Sequence, residues 1–184
     1  MVNAVQLTSE FMKGVSSNMK TKLSIILIIS ITVALMMAGC GGATTGPEVG
    51  NKAPDFNLQT IDGQSLGLSD FHGRPVMVSF WATWCGPCMD EMPYIQAVYD
   101  GHSDEELVVF TINIRESAEA ARAVVNREGL TFPVLIDSQA MVAEQYQVQF
   151  IPMTFFIDAK GVIKARKVGG FQSQEEIEGF IKDI

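Results

Sequence analysis

The sequence predicts an α/β protein in which helices flank a mixed central sheet. Continuous apolar runs of strand length alternate with segments whose apolar residues recur at helical spacing, which is typical of strands joined by crossover helices. A hairpin signal precedes this alternation, and a second hairpin and a helix close it, which indicates antiparallel strands beside the parallel ones.

The predicted domain spans residues 53–184 and opens with a β-hairpin. Residues 56–60 and 64–68 are its two arms, and an Asp-Gly pair at residues 62–63 lies between them. Asp-Gly between two such segments is typical of a tight turn, because glycine adopts a positive φ at no steric cost.

A buried strand and a helix follow the hairpin. Residues 75–81 form a continuous apolar run, which predicts a central strand covered on both faces. The helix begins at Cys85, and Pro87 falls in its first turn, where the missing N–H costs little. Pro93 lies farther inside, so we expect it to bend or interrupt this helix.

The remaining elements continue the alternation to the C-terminus. Strands are predicted at residues 107–113, 132–136, 153–157 and 162–168, and helices at residues 117–128 and 139–146. Gly129 ends the first of these helices, and residues 158–161 form the turn between the last two strands. A final helix follows residues 169–170, with Ser173 and Glu176 as a capping box.

Residues 19–39 have the composition of an export signal. A basic start with Lys20 and Lys22 precedes a nearly unbroken apolar run and then small residues. Residues 37–40, Met-Ala-Gly-Cys, resemble a bacterial lipobox, in which the signal is cut before the cysteine and a lipid is attached to it. We therefore expect Cys40 to carry a lipid; an uncut signal anchor is the alternative. Both interpretations place the domain outside the cytoplasm at a membrane.

Two further segments are expected to lack a fold of their own. Residues 1–18 are polar and aperiodic and precede a complete signal, so we expect translation to start at Met19; a cytoplasmic extension is the alternative. Residues 40–52 are rich in Gly, Thr and Pro, which predicts a flexible linker with a reach of roughly 20 Å.

The mature chain is strongly acidic. The residues before Cys40 hold three of the 13 basic and one of the 21 acidic side chains, which leaves 10 and 20 and a net charge of −10. Such a surface repels phosphate backbones, so we expect no nucleic-acid partner.

The three cysteines allow one redox pair. With Cys40 assigned to the lipid, only Cys85 and Cys88 remain, too few for a four-cysteine zinc site. His72 and His102 complete no zinc-binding spacing with them. We therefore expect neither a metal nor a cofactor.

Cys85 and Cys88 have the spacing of a redox-active pair at a strand–helix junction. Free N–H groups and the helix dipole stabilise an anion on the first cysteine, which lowers the pKa of its thiol. The second cysteine lies one turn further in and can close a disulfide with the first. This pattern predicts Cys85 as the nucleophile and Cys88 as the thiol that resolves a mixed disulfide.

Residues 80–88, Phe-Trp-Ala-Thr-Trp-Cys-Gly-Pro-Cys, resemble the active-site segment of the thioredoxin superfamily. Residues 49–56, 92–94, 132–137 and 151–158 are similar to motifs of TlpA/ResA-like membrane-anchored thioredoxins, in the same order, and the first of them also resembles the start of peroxiredoxins. The resemblance covers residues 49 to 184. It implies a thioredoxin fold with an inserted helix–strand unit.

The resemblance also implies a substrate-binding surface around Cys85. Pro152 is expected to be cis and to lie beside Cys85, where the backbone of Ile151 would meet an extended substrate; a trans proline at a strand edge is the alternative from the sequence alone. Trp84, Gly86 and Pro87 would complete this surface.

Glu91 is the third expected catalytic residue. Thioredoxins carry a buried aspartate on the central strand, and Ser79 occupies that position here. ResA-like members have a glutamate three residues after the second cysteine, where this chain has Glu91. A poorly solvated carboxylate there could take the proton of Cys88. A solvated helix residue is the alternative.

These features together predict a membrane-tethered thiol-disulfide oxidoreductase on the extracytoplasmic face of the bacterial cytoplasmic membrane. We expect a monomer that reduces disulfides of exported proteins, with apocytochrome c as one candidate, and that receives electrons from a transmembrane thiol donor. ResA-type members often have Glu between the cysteines, whereas Gly86-Pro87 is typical of general reductants. The alternatives are a peroxiredoxin-like peroxide reductase and a non-enzymatic lipoprotein that docks a partner around Trp84 and Ile151.

Overall fold

The computed structural model describes residues 44–103 and 106–184, and Ser24 by itself. The predicted extension 1–18, the signal 19–39 apart from Ser24, and Cys40 lie outside the described residues. Among the residues that are described, no helix combines the length and the apolar character needed to cross a membrane.

The described residues form a seven-stranded mixed sheet with strand order β2-β1-β5-β4-β3-β6-β7. The strands are β1 (Asn57–Thr60), β2 (Ser65–Gly67), β3 (Val76–Trp81), β4 (Val108–Ile114), β5 (Val134–Asp137), β6 (Met153–Ile157) and β7 (Ile163–Val168). Strands β3, β4 and β5 are parallel, and every other pairing is antiparallel. The predicted mixed sheet and N-terminal hairpin are confirmed.

Four α-helices from the described part of the chain cover the sheet. They are α1 (Gly86–Gly101), α2 (Ala118–Glu128), α3 (Met141–Gln145) and α4 (Gln174–Ile181), and a 3₁₀ turn spans Leu68–Phe71. As predicted, α2 ends at Gly129, whose φ of 68° is left-handed. At the start of α4 the Ser173 hydroxyl accepts from the Glu176 N–H, but the Glu176 carboxylate accepts from Gln172, one residue before the position expected for a capping box.

The two faces of the sheet bury different sets of side chains, because side chains alternate along each strand. One face carries Met77 and Trp81 and packs against α1, α2 and α4. The other carries Val78 and Phe80 and packs against α3 and the aromatic ring of Tyr146. Both faces of β3 and β4 are fully covered, which explains the continuous apolar runs.

The predicted flexible linker 40–52 is wrong for residues 44–52. The Gly50 N–H donates to the Ile163 carbonyl at 2.8 Å, and the Ile163 N–H donates to the Asn51 carbonyl at 2.9 Å. The segment therefore pairs with the start of β7, at the open edge of the sheet, where unpaired backbone groups are available. The folded domain begins near Thr44 rather than at residue 53.

Helix α1 continues through Pro93 to Gly101. Of the bend or interruption predicted at Pro93, the interruption is therefore wrong. A proline inside a helix costs about 3 kcal/mol. Met92, Ile95 and Val98 on the same helix are all buried, and each contributes about 1.5–3 kcal/mol. The packing of this helix face therefore outweighs the hydrogen bond lost at Pro93.

Two other elements are shorter or displaced relative to the sequence prediction. Helix α3 covers Met141–Gln145 rather than residues 139–146, because Ala140 before it adopts a left-handed φ of 59°. Strand β5 covers Val134–Asp137 rather than residues 132–136. The inserted helix–strand unit is confirmed as α2 and β5, and β5 pairs in parallel with β4.

Candidate active site

A disulfide joins Cys85 and Cys88 at the N-terminus of α1, directly after β3. Cys85 is the N-cap residue, and its sulfur accepts a hydrogen bond from the Cys88 N–H at 3.2 Å. Cys88 is completely buried, whereas Cys85 keeps 5% of its surface exposed. The helix N-terminus offers free N–H groups to an anion on Cys85, so a thiolate there is stabilised after reduction.

The surroundings of Cys85 divide into an exposed and a buried side. The Trp84 side chain is 69% exposed, and Gly86 and Pro87 are also exposed. The Ile151–Pro152 peptide bond is cis, as expected, and Ile151 packs against the cluster of buried residues that contains both cysteines. Trp84, Gly86 and Pro87 thus flank Cys85 in the chain, and Ile151 borders the same buried cluster as both cysteines.

The loop after β7 also contributes to the site. The Gly169 N–H donates to the Pro152 carbonyl at 2.8 Å, which joins this loop to the cis-proline segment. A Cβ on Gly170 would lie 3.0 Å from the Pro87 carbonyl oxygen and 3.6 Å from Glu91 Oε2. A side chain here would require the Pro87 carbonyl or the loop to shift by a few tenths of an ångström, so glycine suits this close approach to α1. The glycine pair at residues 169–170 was predicted only as the boundary before the last helix, and its packing role was not predicted.

Glu91 is completely buried beneath the cysteines, one turn after Cys88. Its Oε2 accepts from the Phe171 N–H at 3.0 Å, and its Oε1 accepts from the Ser79 hydroxyl at 3.4 Å. The Ser79 hydroxyl in turn accepts from Thr154 at 3.1 Å. Ser79, which replaces the aspartate of thioredoxins, is therefore a hydrogen-bond donor to Glu91.

Burial raises the pKa of Glu91 from 4.5 to about 7. The Phe171 and Ser79 hydrogen bonds and the charge of Lys167 lower it, and the charge of Glu176 raises it, but desolvation is the largest effect. A carboxyl group with a pKa near 7 exchanges a proton readily at neutral pH, which suits it to serve a buried thiol.

A carboxylate that the sequence analysis missed holds the turn before Cys85. Glu116 lies between β4 and α2, and it accepts hydrogen bonds from the Thr83 N–H at 2.7 Å and the Thr83 hydroxyl at 2.5 Å. The Asn113 amide donates to the same carboxylate at 2.8 Å. A sequence signal for this contact did exist. Thr83 and Glu116 each follow an apolar run that was predicted as a strand, and the carboxyl ends of parallel strands meet at one edge of the sheet.

Two buried polar atoms lie next to this contact. Among the described residues, Trp81 Nε1 and Asn113 Oδ1 have no hydrogen-bond partner. Trp81 and Asn113 are direct neighbours on β3 and β4. The amide of Asn113 is oriented toward the Glu116 carboxylate although this leaves its own oxygen unpaired, which indicates that the contact with Glu116 dominates.

A protein-family model described as the AhpC/TSA family matches residues 49–166. The chain belongs to the AhpC/TSA family. The match begins where the predicted resemblance begins and includes both cysteines, Glu91 and the cis proline.

Individual relatives and solved structures point to one activity. The thiol-disulfide oxidoreductase ResA of Geobacillus kaustophilus is 37% identical over 140 residues, which cover 76% of this chain and 80% of that protein. The structure of a protein assigned as thiol:disulfide interchange protein DsbE from Chlorobium tepidum aligns with a TM-score of 0.68 at 29% identity, over 73% of this chain and 96% of that one. The exposed lipoprotein thioredoxin Etrx1 of Streptococcus pneumoniae aligns with a TM-score of 0.61 at 30% identity, over 71% and 100%.

These similarities confirm three of the sequence predictions. The chain is a TlpA/ResA-like protein, it has a thioredoxin fold, and it is a thiol-disulfide oxidoreductase. The non-enzymatic alternative is thereby disfavoured.

Proposed function

We propose that this oxidoreductase is tethered to the extracytoplasmic face of the cytoplasmic membrane and reduces disulfides of exported proteins through Cys85 and Cys88. The observation that carries the proposal is the asymmetry of the pair. Cys85 lies at the helix N-terminus next to the exposed Trp84, whereas Cys88 is completely buried next to the buried Glu91. Only one of the two sulfurs can meet a protein substrate.

In the first step the Cys85 thiolate attacks a substrate disulfide. A bond forms between Cys85 and one substrate sulfur, and the other substrate sulfur leaves as a thiolate that takes up a proton. The exposed Trp84 and the backbone of Ile151 would bind the substrate segment on either side of Cys85. The N–H groups at the start of α1 stabilise the thiolate before attack.

In the second step Cys88 resolves the mixed disulfide. Glu91 takes the proton of the Cys88 thiol, and the resulting thiolate attacks the Cys85 sulfur. The second substrate sulfur leaves with the electron pair and is protonated, and the Cys85–Cys88 disulfide remains. Two electrons have then passed to the substrate. A transmembrane thiol donor has to return them before the next cycle.

The tether is supported by the signal at residues 19–39 and by Cys40. The structural relative from Streptococcus pneumoniae is described as a lipoprotein, which favours lipid attachment here. Because residues 44–52 are bound to the domain, only four residue steps separate Cys40 from Thr44, about 14 Å when extended. We therefore infer a shorter tether than a flexible linker over residues 40–52 would give.

The tether leaves the domain far from the cysteines. Thr44, where the tether ends, accepts from the Lys52 N–H at 2.9 Å, and the adjacent Asn51 is hydrogen-bonded to Ile163 at the start of β7. Val168 at the other end of β7 pairs with Met153 beside the cis proline. The five steps between these ends of β7 span about 17 Å. A domain held at its tethered end would present Cys85 away from the membrane surface, toward exported proteins. Apocytochrome c is one candidate among them.

Trapping in membranes of the producing bacterium tests this proposal. Cys88→Ala should leave Cys85 joined to its substrate, because no thiol resolves the mixed disulfide. We expect exported proteins among the captured partners, and none with the matched variant Cys85→Ala. Capture by both variants alike, or of cytoplasmic proteins alone, would contradict the proposal.

A peroxide reductase is the second candidate, because the AhpC/TSA match includes the segment that also resembles peroxiredoxins. The Pro-x-x-x-Thr-x-x-Cys loop of a peroxidatic cysteine is not present around Cys85. Hydrogen peroxide consumption by the reduced protein separates the two candidates, and we expect it to be slow relative to disulfide reduction.

A further inference from the structure

The turn that leads from β3 into α1 places two substrate-facing residues at once. The Cys85 N–H donates to the Ala82 carbonyl at 3.1 Å, so that residues 82–85 form a β-turn with Thr83 and Trp84 at its centre. Trp84 projects into solvent from this turn, and Cys85 leaves it as the N-cap of α1. Whatever fixes the turn fixes the position of the indole relative to the reactive sulfur.

Glu116 binds this turn at its first central residue. Both oxygens are used, one for the Thr83 hydroxyl and the other for the Thr83 N–H together with the Asn113 amide. Thr83 has no partner elsewhere in the β-turn for its N–H, and the carboxylate supplies one. Hydrogen bonds to an ionised acceptor are stronger than neutral ones, and three of them converge here.

Glu116 is itself held in place from two directions. It lies just before Ser117, the N-cap of α2, whose hydroxyl accepts from the Ala120 N–H. On its other side Arg115 has a left-handed φ of 59°, and the Arg115 N–H donates to the Asp137 carbonyl at 3.0 Å. Hydrogen bonds on both sides of Glu116 thus fix the turn between β4 and α2 that holds the carboxylate. A strained backbone conformation, such as that of Arg115, is more common at functional sites.

We propose that Glu116 is a positioning residue that holds the Thr83–Trp84 turn so that Trp84 binds protein substrates beside Cys85. Glu116 touches neither cysteine sulfur in the hydrogen-bond network, so its role is to orient the indole rather than to assist thiol exchange. The inference rests on the proposed reduction of protein disulfides. It predicts that the contact matters for a substrate large enough to reach Trp84 and not for a small disulfide.

Steady-state kinetics with two substrates test the role of Glu116. With Glu116→Ala we expect the KM for insulin disulfides to rise about tenfold, a typical effect of lost positioning. The rate of reaction with a small aromatic disulfide should stay within about twofold of the wild type. Glu116→Gln keeps an oxygen and adds an amide that the Thr83 hydroxyl can accept from, so it should recover most of the loss. Glu119→Gln removes a charge from the first turn of α2 without touching Thr83 and should behave like the wild type.

A fluorescence measurement reports on the turn independently of catalysis. Trp81 is buried and Trp84 is exposed, so a quencher in solution reduces the emission of Trp84 and thereby identifies the part of the fluorescence that comes from Trp84. Faster local motion of the indole, seen as a lower time-resolved anisotropy, is expected for Glu116→Ala and not for Glu119→Gln. Should Glu116→Ala not fold, Thr83→Val, which removes only the hydroxyl contact, replaces it in both measurements.

The outcomes separate this inference from the proposed function. Three kinetic results would overturn the role of Glu116. In the first, Glu116→Ala loses as much activity on the small disulfide as on insulin; in the second, it loses activity on neither. In the third, Glu119→Gln loses as much activity as Glu116→Ala. If the wild-type protein reduces no protein disulfide, the proposed function is wrong, and the anisotropy measurement alone then decides whether Glu116 holds the turn.

Discussion

Replacement of Glu91 by glutamine is expected to change how the stability of the oxidised protein depends on pH. The pKa of Glu91 is about 7 in the folded protein and 4.5 as its ordinary value. The folded state therefore favours the protonated carboxyl. The stability that this group contributes is fully present below pH 4.5, is lost as the pH rises toward 7, and is absent above it.

The size of this effect follows from the two pKa values. One pKa unit corresponds to 1.36 kcal/mol, so ionisation of Glu91 costs the folded protein about 3 kcal/mol at high pH. Glutamine does not ionise. Its oxygen can still accept from the Phe171 N–H, and its amide can donate to the Ser79 hydroxyl. Glu91→Gln should thus be similar to the wild type at pH 4 and more stable by about 3 kcal/mol at pH 8.5.

Urea unfolding of the oxidised protein at these two pH values measures the difference. Asp90→Asn is the matched control, because Asp90 is the residue next to Glu91 on α1 and its side chain is exposed. We expect this control to differ from the wild type by less than about 0.5 kcal/mol at both pH values. The reasoning is refuted if Glu91→Gln and the wild type lose or gain the same stability between pH 4 and pH 8.5.

Four further substitutions test other parts of the structure. Trp84→Ala should raise the KM for insulin disulfides and change the free energy of unfolding by less than about 0.5 kcal/mol, since the side chain is exposed; a KM equal to that of the wild type would argue against a role in substrate binding. Gly170→Ala should lower the free energy of unfolding by about 1–3 kcal/mol through the close approach to α1, whereas Gly179→Ala in α4, where nothing lies nearby, should raise it by up to about 1 kcal/mol. Tyr146→Phe removes a buried hydroxyl that donates to the Pro54 carbonyl at 2.6 Å, and urea unfolding should show a loss of about 1–2 kcal/mol.

Much of the fold could be predicted from the sequence where side chains carry the signal. The apolar run at residues 75–81 is long and uninterrupted because β3 is buried on both faces. The Asp-Gly turn at residues 62–63 gave the first hairpin, with Gly63 at a positive φ. By contrast, the cis bond before Pro152 and the proposed role of Glu91 followed from the family resemblance, since periodicity contains no information about either.

The errors have physical causes. Residues 44–52 are held by backbone hydrogen bonds to β7, which leave no apolar pattern in the sequence. The prediction at Pro93 considered only the cost of a proline inside a helix. The stabilisation from the buried face of that helix is known only once the fold is known. Glu116 is 33 residues from Thr83. Their contact depends on the parallel register that places Trp81 beside Asn113, which no local pattern determines.

The most direct test of the central claim is a count of thiols after one turnover. Reduced protein is mixed with a limiting amount of a protein disulfide, quenched in acid, alkylated and weighed by mass spectrometry. We predict one Cys85–Cys88 disulfide formed for each substrate disulfide reduced, a covalent complex through Cys85 with Cys88→Ala, and no reaction with Cys85→Ala. Reduction of the substrate by Cys85→Ala, or reduction without formation of the Cys85–Cys88 disulfide, would contradict the mechanism.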